Sequence, residues 1–353
     1  MSEFVHTQLA QCTGIITLDR PKALNSLSLG MVRDLTRALL NWREDPAVDA
    51  VVIKGGSPKA FCAGGDIRFF HDAGRGGSAQ IEDFFTEEYA LNHLVHNYPK
   101  PYIALMDGVV MGGGMGIAQA GPQARLRVVT DGTRMAMPEV NIGLFPDVGG
   151  SYFLSRTPGK LGLYLALTGL TIGAADALAA GLADVYLPPA GVAELETLVG
   201  ATPGAGLPDA IRALGMDPGA SELAQQRERI DRHFGAPSVA AIMASLESDA
   251  DAFAQKALAA MRLRSPLMMC VTHALLARGA TFGIGDCLRM ERNLVRRTFE
   301  HGEVLEGVRA LVIDKDQAPG WNPARLEDVS VAMVEHFFEP VWPDYAHPLR
   351  MLA

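Results

Sequence analysis

The chain has 353 residues, and its 48% hydrophobic and 20% charged content is typical of a folded globular protein and excludes wholesale disorder. A formal net charge of −9 argues against a nucleic-acid partner and against a basic membrane-binding surface. The four cysteines are scattered, no apolar run approaches the about 20 residues of a membrane-spanning helix, and the first residues lack a signal or transit pattern. We therefore expect a cytoplasmic protein with reduced thiols.

Strands and helices are predicted to alternate through the first half of the chain. Ser28 precedes a helical pattern in which apolar residues recur every three or four positions from Met31 to Trp42. Further helices are expected from about 79 to 95 and after Gly113. Short runs rich in β-branched residues predict strands at 14–18, 51–53, 102–106 and 126–130. This alternation indicates an α/β core.

The second half of the chain reads differently. An alanine-rich helix starting near Ala174 is predicted to end at Gly181, a residue suited to a left-handed C-cap, and to lead into a short strand. Residues 188–220 are dense in Pro, Gly and Ala and indicate a boundary, whereas 238–338 is nearly all helical in pattern. We therefore predict a core at 1–190, a connecting region at 191–236 and a helical region at 237–353.

Motifs for common cofactors and nucleophiles are missing from the sequence. There is no H-E-x-x-H, no G-x-S-x-G and no phosphate-binding G-x-x-x-x-G-K-[ST]. His93 and His96 lie one turn apart without a third ligand nearby, and Cys62 has no neighbouring base. We expect neither a metal nor a separate cofactor.

Two glycine clusters each follow a predicted strand and precede a predicted helix. They are Gly64-Gly65 and the triple glycine 112–114. Consecutive glycines allow a ligand to approach the backbone, and the first N–H groups of the following helix have no partner within that helix. Two such turns side by side would form an oxyanion hole, although each cluster on its own is better explained by tight turns and close helix packing.

Two acids, Glu139 and Asp147, lie eight positions apart in the apolar stretch 137–152. Asp147 could be an N-cap for the helix that follows it, and Glu139 could be a first-turn carboxylate after Pro138. The apolar neighbours favour another interpretation, because a carboxylate in such surroundings has a raised pKa that suits acid–base chemistry near neutral pH.

Four motifs in order resemble the crotonase (enoyl-CoA hydratase/isomerase) superfamily. They occupy residues 15–25, 61–66, 107–114 and 181–184. The resemblance implies a spiral of ββα units, followed here by a C-terminal all-helical region, that binds an acyl-CoA. It also implies that the thioester oxygen is held by the backbone N–H groups of Gly65 and Gly113.

The branch of that superfamily is indicated by the second catalytic position. Hydratases carry a glutamate two residues after the triple glycine, where this chain has Gly116, and a second one in the Pro-Glu motif, where it has Glu139. Asp147 stands where hydratases usually have glycine. The stretch 138–150 and the tail 299–323 resemble the 3-hydroxyisobutyryl-CoA hydrolase branch.

That resemblance implies hydrolysis of a short branched or 3-hydroxy acyl-CoA thioester, as in valine catabolism. Glu139 would act as general base on water or as nucleophile, and Asp147 would orient the water or bind a substrate hydroxyl. An acid that many relatives place near the acyl pocket is replaced here by the pair His71-Asp72, which leaves the acyl preference open.

Coenzyme A is expected to bind as part of the substrate. By resemblance, residues 63–67 line its adenine and pantetheine groove near Asn25, and the phosphates need local positive charge, for which Lys22, Lys54, Lys59, Arg68 and Lys315 are candidates. The full set of predicted substrate-binding residues is Asn25, Ala63, Gly64, Asp66, Ile67, Arg68, Gly112, Gly114 and Lys315.

Two other functions and the assembly stay open. A hydratase or isomerase on the same fold, or a non-catalytic acyl-CoA-binding protein, would carry many of the same motifs. Relatives often form trimers or hexamers, and a monomer with the helical tail folded over its own site is the alternative.

Overall fold

The computed structural model describes residues 3–122 and 125–352 and divides into two compact units. Unit 1 consists of Met1–Gly65, Ala90–Ala136 and Thr171–Glu222, and unit 2 of Asp66–Tyr89, Met137–Leu170 and Leu223–Ala353. Each unit is therefore assembled from three separate stretches of chain. The predicted division into three consecutive regions stays a prediction.

All the strands of the described chain lie in unit 1. They are β1 (Val5–Ala10), β2 (Thr13–Leu18), β3 (Ala50–Gly55), β4 (Ala60–Cys62), β5 (Tyr102–Met106), β6 (Val109–Met111), β7 (Arg125–Val129), β8 (Arg134–Ala136) and β9 (Val185–Tyr186). One sheet has the order β1-β2-β3-β5-β7-β9, in which only β1 and β2 pair antiparallel, and a second parallel sheet has the order β4-β6-β8. The predicted α/β class is confirmed.

The helices of the first two hundred residues include the predicted ones. They are α1 (Leu29–Glu44), α2 (Ile67–Arg75), α3 (Gln80–His96), α4 (Gly113–Ala118), α5 (Gly150–Leu154), α6 (Leu161–Thr168), α7 (Ala174–Ala179) and α8 (Pro189–Ala201). Ser28 caps α1, since its Oγ accepts a hydrogen bond of 3.3 Å from the Met31 N–H. Gly181 follows α7 with a φ of +69°.

The rest of the chain is helical apart from connecting segments, as predicted. Its helices are α9 (Leu207–Ala213), α10 (Glu222–Phe234), α11 (Val239–Glu247), α12 (Ala252–Met261), α13 (Pro266–Gly279), α14 (Ile284–His301), α15 (Glu303–Val308) and α16 (Val331–Phe338). No helix within residues 3–122 and 125–352 is both long and apolar enough to cross a membrane.

The core of unit 1 lies between its larger sheet and the helices α8 and α9. Alternate apolar residues of the strands, such as Val52 and Ile103, are buried with Leu195 and Val199 of α8 and Ile211 of α9. The stretch rich in Pro, Gly and Ala therefore contains a helix of 13 residues that packs on the sheet.

A buried ion pair organises the last strand of the sheet. Arg127 of β7 donates to both carboxylate oxygens of Asp184, at 2.9 and 3.0 Å, and to the carbonyl oxygen of Gly181 at 2.9 Å. Only 2% of Arg127 is exposed, and its guanidinium also donates to Gln119. The motif at 181–184 is thus explained as the acceptor set for one buried arginine.

Candidate active site

The two glycine turns of unit 1 lie against each other. Leu27 donates its N–H to the carbonyl oxygen of Gly64 at 2.7 Å, and Leu27 and Gly65 form a bridge between neighbouring strand-like segments. A Cβ on Gly64 would lie 3.2 Å from the carbonyl oxygen of Met111 and 3.6 Å from the backbone nitrogen of Gly113. Gly64 also has a φ of +100°, so both its conformation and its surroundings require glycine.

The second turn leads directly into a helix. Gly112 has a φ of +47° and caps α4, whose first residue is Gly113. The N–H of a first helical residue has no partner within its helix, so the N–H of Gly113 is available beside the Gly64-Gly65 turn. Gly114 permits this close approach, because a Cβ there would lie 2.3 Å from the carbonyl oxygen of Cys62. Cys62 itself is fully buried.

The predicted substrate-binding residues near these turns differ in their exposure. Asn25 is buried, and its side chain accepts from the Arg20 N–H at 2.8 Å and donates to the carbonyl oxygens of Ala60 and Phe61 at 2.9 and 3.1 Å. Asn25 thus holds β4, the strand that leads into the Gly64-Gly65 turn. Ala63 is partly exposed, and its N–H donates to the Leu24 carbonyl oxygen at 3.0 Å.

The next predicted residues lie in unit 2. Asp66 caps α2, with its Oδ1 accepting from the Phe69 N–H at 3.3 Å, and Ile67 begins that helix. The exposed Arg68 donates to the carbonyl oxygen of Val312 at 3.4 Å, so α2 brings it close to the segment that carries the exposed Lys315.

Three lysines of unit 1 were candidates for phosphate binding. Lys22 and Lys59 are exposed, whereas Lys54 forms a 2.6 Å ion pair with Glu196 of α8. Lys54 is therefore already partnered within unit 1. The pair His71-Asp72 replaces the acid that many relatives have near the acyl pocket. His71 is buried in unit 2, and its Nδ1 lies 3.2 Å from the Oδ1 of Asp72.

Glu139 begins a 3₁₀ turn, Glu139–Ile142, that is packed tightly by the C-terminal helices. Gly143 follows the turn with a φ of +68°, and a Cβ on it would lie 2.4 Å from the carbonyl oxygen of Glu303. A Cβ on Gly307 of α15 would lie 2.3 Å from the carbonyl carbon of Ile142. The turn that carries Glu139 is thus fixed in place by backbone-to-backbone packing against α15.

Glu139 is at the start of a helical turn, as one interpretation expected, but it is not a surface charge. Only 6% of it is exposed, and its Oε2 is buried without a hydrogen-bond partner in the part of the chain that the structure describes. Burial, reinforced by the charge of Asp147, raises the pKa of Glu139 well above its usual range.

Asp147 is not the N-cap of α5, because Gly149 holds that position and no side chain caps the helix. Asp147 is 5% exposed, and its Oδ2 accepts a 2.6 Å hydrogen bond from the hydroxyl of Tyr89. Burial raises the pKa of Asp147 to about 6, while the Tyr89 hydrogen bond lowers it. A carboxylate with a pKa of about 6 can accept a proton, or a hydrogen bond from a reacting group, near neutral pH.

Two further acids join this site, and the motif-based prediction missed both. Glu88 of α3 is 2% exposed with an unpartnered Oε1 among the described residues, and burial followed by the Asp147 charge raises its pKa. Glu291 of α14 is fully buried and accepts hydrogen bonds from the turn after Asp147. Burial raises the pKa of Glu291 to about 8, and the hydrogen bond from Ser151 opposes this.

A signal for both missed acids exists in the helical periodicity. Glu88 falls on the stripe of Phe84, Phe85, Leu91 and Val95, and Glu291 on the stripe of Cys287, Leu288, Leu294 and Val295, all buried. An acid inside an apolar stripe is a candidate for a buried functional group.

Backbone N–H groups and buried carboxylates are two kinds of group that can serve acyl transfer. Within the described ranges, no group of three or more His, Cys, Asp and Glu side chains could hold a metal ion. Unit 1 presents backbone N–H groups at paired glycine turns, which can stabilise an oxyanion, and unit 2 presents buried carboxylates with raised pKa values, which can move protons.

Comparison with known proteins covers nearly the whole chain. The profile of the enoyl-CoA hydratase/isomerase family matches residues 13–338. The 3-hydroxyisobutyryl-CoA hydrolase, mitochondrial, of Xenopus tropicalis is 42% identical over 337 residues, which is 93% of this chain and 87% of that protein. Its counterpart in Homo sapiens is 38% identical over 336 residues, 93% of this chain and 86% of that protein.

Solved structures agree on the fold. A structure described as a carnitinyl-CoA dehydratase from Mycobacterium thermoresistibile is 40% identical with a TM-score of 0.91, and covers 97% of this chain and 98% of its own. One described as an enoyl-CoA hydratase from Rhodobacter sphaeroides 2.4.1 is 38% identical with a TM-score of 0.88, over 96% and 98% of the two chains. The crotonase-like fold predicted from the motifs is confirmed.

The comparison also corrects one expectation and confirms another. The predicted cytoplasmic location is wrong, because the curated relatives with this similarity are named as mitochondrial proteins. That expectation rested on the composition and on the pattern of the first residues, and neither of these shows in which compartment related proteins are found. The predicted family is confirmed by both comparisons. The chain belongs to the enoyl-CoA hydratase/isomerase family, in the branch of the 3-hydroxyisobutyryl-CoA hydrolases.

Proposed function

We propose that this protein hydrolyses the thioester of a short branched or 3-hydroxy acyl-CoA, with 3-hydroxyisobutyryl-CoA as the substrate, and releases the free acid and coenzyme A. The names of the curated relatives, 41–42% identical in the first four cases, support this assignment. It would place the enzyme in valine catabolism.

The observation that carries the proposal is the pair of buried carboxylates Glu139 and Asp147. A hydratase on this fold uses a glutamate two residues after the triple glycine, and Gly116, buried in α4, offers no side chain there. Asp147, fixed by Tyr89 and titrating near 6, supplies an acid at a different place. This different placement of the second acid favours attack of water on the thioester carbonyl over addition of water to the double bond of an enoyl group.

In the reaction that we propose, the N–H groups of Gly65 and Gly113 hold the thioester oxygen. They polarise the carbonyl and stabilise the negative charge of the tetrahedral intermediate. Losing one such donor costs roughly 10²- to 10³-fold in rate in enzymes where it has been a side chain. Both donors here belong to the backbone, so the glycine turns must be disturbed to test them.

Glu139 has two roles that both fit its surroundings. As general base it takes a proton from water, whose oxygen attacks the carbonyl carbon while the carbon–sulfur bond later breaks and coenzyme A leaves as the thiol. As nucleophile it attacks the carbonyl carbon and forms an anhydride as the carbon–sulfur bond breaks and coenzyme A leaves, and water then cleaves the anhydride to the free acid and Glu139. The unpartnered Oε2 of Glu139 suits either role, since a hydrogen-bond acceptor is left for water or substrate.

Asp147 acts in both versions as the group that orients. Its Oδ2 is occupied by the Tyr89 hydroxyl, which fixes the rotation of the carboxylate. Its other oxygen would accept a hydrogen bond from the attacking water or from the 3-hydroxyl of the acyl group. Glu88, one position before Tyr89, has an unpartnered Oε1 that would add a second polar contact for such a hydroxyl.

The remaining predicted contacts concern the coenzyme. Residues 63–67 and the loop at Asn25 would line the adenine and pantetheine groove, and Arg68 and Lys315 would meet the phosphates. Both cations are exposed in unit 2 and belong to neighbouring segments, which supports a joint role. The assembly, whether monomer, trimer or hexamer, stays a prediction.

A panel of acyl thioesters tests the proposal. Purified protein is mixed with 3-hydroxyisobutyryl-, 3-hydroxypropionyl- and crotonyl-CoA, and free thiol is measured with a thiol reagent. We expect release from the two hydroxylated substrates and little from crotonyl-CoA. Absence of release from all three would contradict hydrolysis.

Hydration of an enoyl-CoA is the second candidate, favoured by the names of the two solved structures above. It predicts loss of the absorbance of the conjugated thioester of crotonyl-CoA without any free thiol. Binding of acyl-CoA with neither signal would instead indicate a protein that binds without turnover.

A further inference from the structure

Glu291 of α14 is bound to the turn that follows Asp147. Its Oε2 accepts from the Gly149 N–H at 2.8 Å, and its Oε1 accepts from the Ser151 N–H at 3.0 Å and from the Ser151 hydroxyl at 2.5 Å. All three donors lie two to four residues after Asp147. One carboxylate therefore holds both ends of the peptide segment 149–151.

The segment between these hydrogen bonds has an unfavourable backbone conformation. Val148 has a φ of +52°, a left-handed conformation that a β-branched residue rarely adopts, and Gly149 follows with +87°. Such conformations persist only where the surrounding structure holds them. The Gly150 N–H donates to the Asp147 carbonyl oxygen at 2.6 Å, so the turn that is held in this way begins at Asp147 itself.

The two carboxyl oxygens of Glu291 together supply this set of acceptors. Two backbone N–H groups and one hydroxyl need acceptors on two separate oxygens, whereas a glutamine would present an NH₂ group to one of the two backbone donors. Within the described residues no Lys, Arg or His forms an ion pair with Glu291, and it is fully buried. Burying an acid away from any cation costs stability and raises its pKa, so its presence points to a requirement that an apolar residue would not meet.

We propose that Glu291 is a positioning residue that fixes the strained turn 148–151 and thereby aims the Asp147 carboxylate. This inference rests on the proposed hydrolase function, since it assigns the effect of Glu291 to a group in that reaction. Glu291 need not touch the substrate. The C-terminal helix α14 then contributes to catalysis through the backbone of the loop that carries Asp147.

A double-mutant cycle tests the assignment. In the wild-type background we expect Glu291→Gln to lower kcat for 3-hydroxyisobutyryl-CoA about 10-fold and to change KM less than twofold, because the ground-state contacts of the coenzyme are untouched. In the Asp147→Asn background the same change should lower kcat less than twofold, since the group that it positions is gone. An equal fold-loss in both backgrounds would overturn the proposal.

Two further variants keep the test decisive. Ser151→Ala removes one of the three donors and should lower kcat two- to threefold. Leu294→Ala, a fully buried packing change on the same helix α14, should lower the thermal midpoint while it leaves kcat within twofold. If Leu294→Ala lowers kcat as much as Glu291→Gln does, general loosening of α14 explains the loss and the positioning role is wrong.

The outcomes separate this inference from the function on which it rests. If Asp147→Asn leaves no measurable turnover, the split between kcat and KM in the wild-type background decides, and a raised KM with unchanged kcat overturns the proposal. If the wild-type protein releases no thiol at all, the hydrolase function fails first. A hydrolase with full activity in Glu291→Gln would reject the positioning role alone.

Discussion

Replacing Asp147 by Asn should stabilise the folded protein at neutral and alkaline pH while it impairs hydrolysis. Asp147 is almost fully buried, and its ordinary pKa of 3.8 is raised to about 6. When folding raises the pKa of an acid, the protonated form favours the folded state. This stabilisation is complete at pH values below the unfolded-state pKa, and it is lost as the pH rises through the folded-state pKa. Asn does not ionise, and its Oδ1 still accepts the hydrogen bond of Tyr89.

The magnitude follows from the two pKa values. Each unit corresponds to about 1.36 kcal/mol, so the rise from 3.8 to about 6 penalises the ionised folded state by about 3 kcal/mol at pH 8. With an unfolding entropy of about 2.1 cal/mol/K per residue, this equals a shift of about 4 °C in Tm for a chain of 353 residues. Near pH 4 most of the difference should disappear, because Asp147 is largely protonated in the folded state.

The assay compares thermal and urea unfolding of wild type and Asp147→Asn from pH 4 to pH 8. Asp184→Asn is a matched control of opposite sign, since the hydrogen bonds and charge of Arg127 lower the pKa of Asp184 against the effect of burial. That control should lose stability above pH 4, whereas Asp147→Asn gains it. If the unfolding free energies of wild type and Asp147→Asn changed with pH in the same way across this range, the claim that burial penalises the ionised form of Asp147 would be refuted.

Three further variants test other parts of the structure. Tyr89→Phe removes the donor that lowers the pKa of Asp147, so the acidic limb of the kcat/KM profile should move about one to two units to higher pH, given about 1.5–3 kcal/mol for a hydrogen bond to a charged group. An unmoved limb would contradict this. Gly307→Ala places a Cβ against the carbonyl of Ile142, so it should lower the free energy of unfolding in urea by about 1–3 kcal/mol and also lower thiol release. An unchanged free energy of unfolding would show that the contact relaxes. Arg127→Met removes the main partner of the partly exposed Asp184, which keeps Arg125 at 3.6 Å, and should cost about 1–3 kcal/mol while the folded fraction keeps its kcat. A loss of kcat per folded molecule would place the ion pair in the site instead.

Local signals predicted the framework of unit 1 well. The strands β2, β3, β5 and β7 are short β-branched runs with clear boundaries, and the Ser28 cap fixes the start of α1. The second sheet was not predicted, because β4, β6 and β8 have three residues each, and β4 and β6 lie inside or next to the glycine motifs. Three residues are too few for a period-two pattern to be recognised.

The site was predicted where the chemistry is carried by motifs and missed where it depends on packing. Glu139 and Asp147 stand out from their apolar neighbours, so their burial could be anticipated. Glu88 lies in a run with Glu82, Asp83 and Glu87 that is typical of a solvated helix, and this run obscures the apolar stripe on which Glu88 falls. The sequence left open whether Asp147 caps α5. In the structure Gly149, in a left-handed conformation, occupies the N-cap position, and no side chain caps the helix.

Glu291 shows why a local pattern can mislead. The nearby Arg289 and Arg292 give the appearance of a charged surface helix, yet Arg292 is itself buried and paired with Glu82. The hydrogen bonds that define Glu291 come from residues about 140 positions earlier in the chain. No window of helical length contains both partners, so the contact could be found only in the folded structure.

The central claim is that Glu139 acts on the carbonyl carbon of an acyl-CoA thioester. The most direct measurement is thiol release from 3-hydroxyisobutyryl-CoA by wild type and by Glu139→Gln. We predict that wild type releases coenzyme A and that the variant, folded to the same extent, is slower by about 10²-fold or more, as for loss of a positioned base or nucleophile. Near-normal hydrolysis by Glu139→Gln would contradict the account.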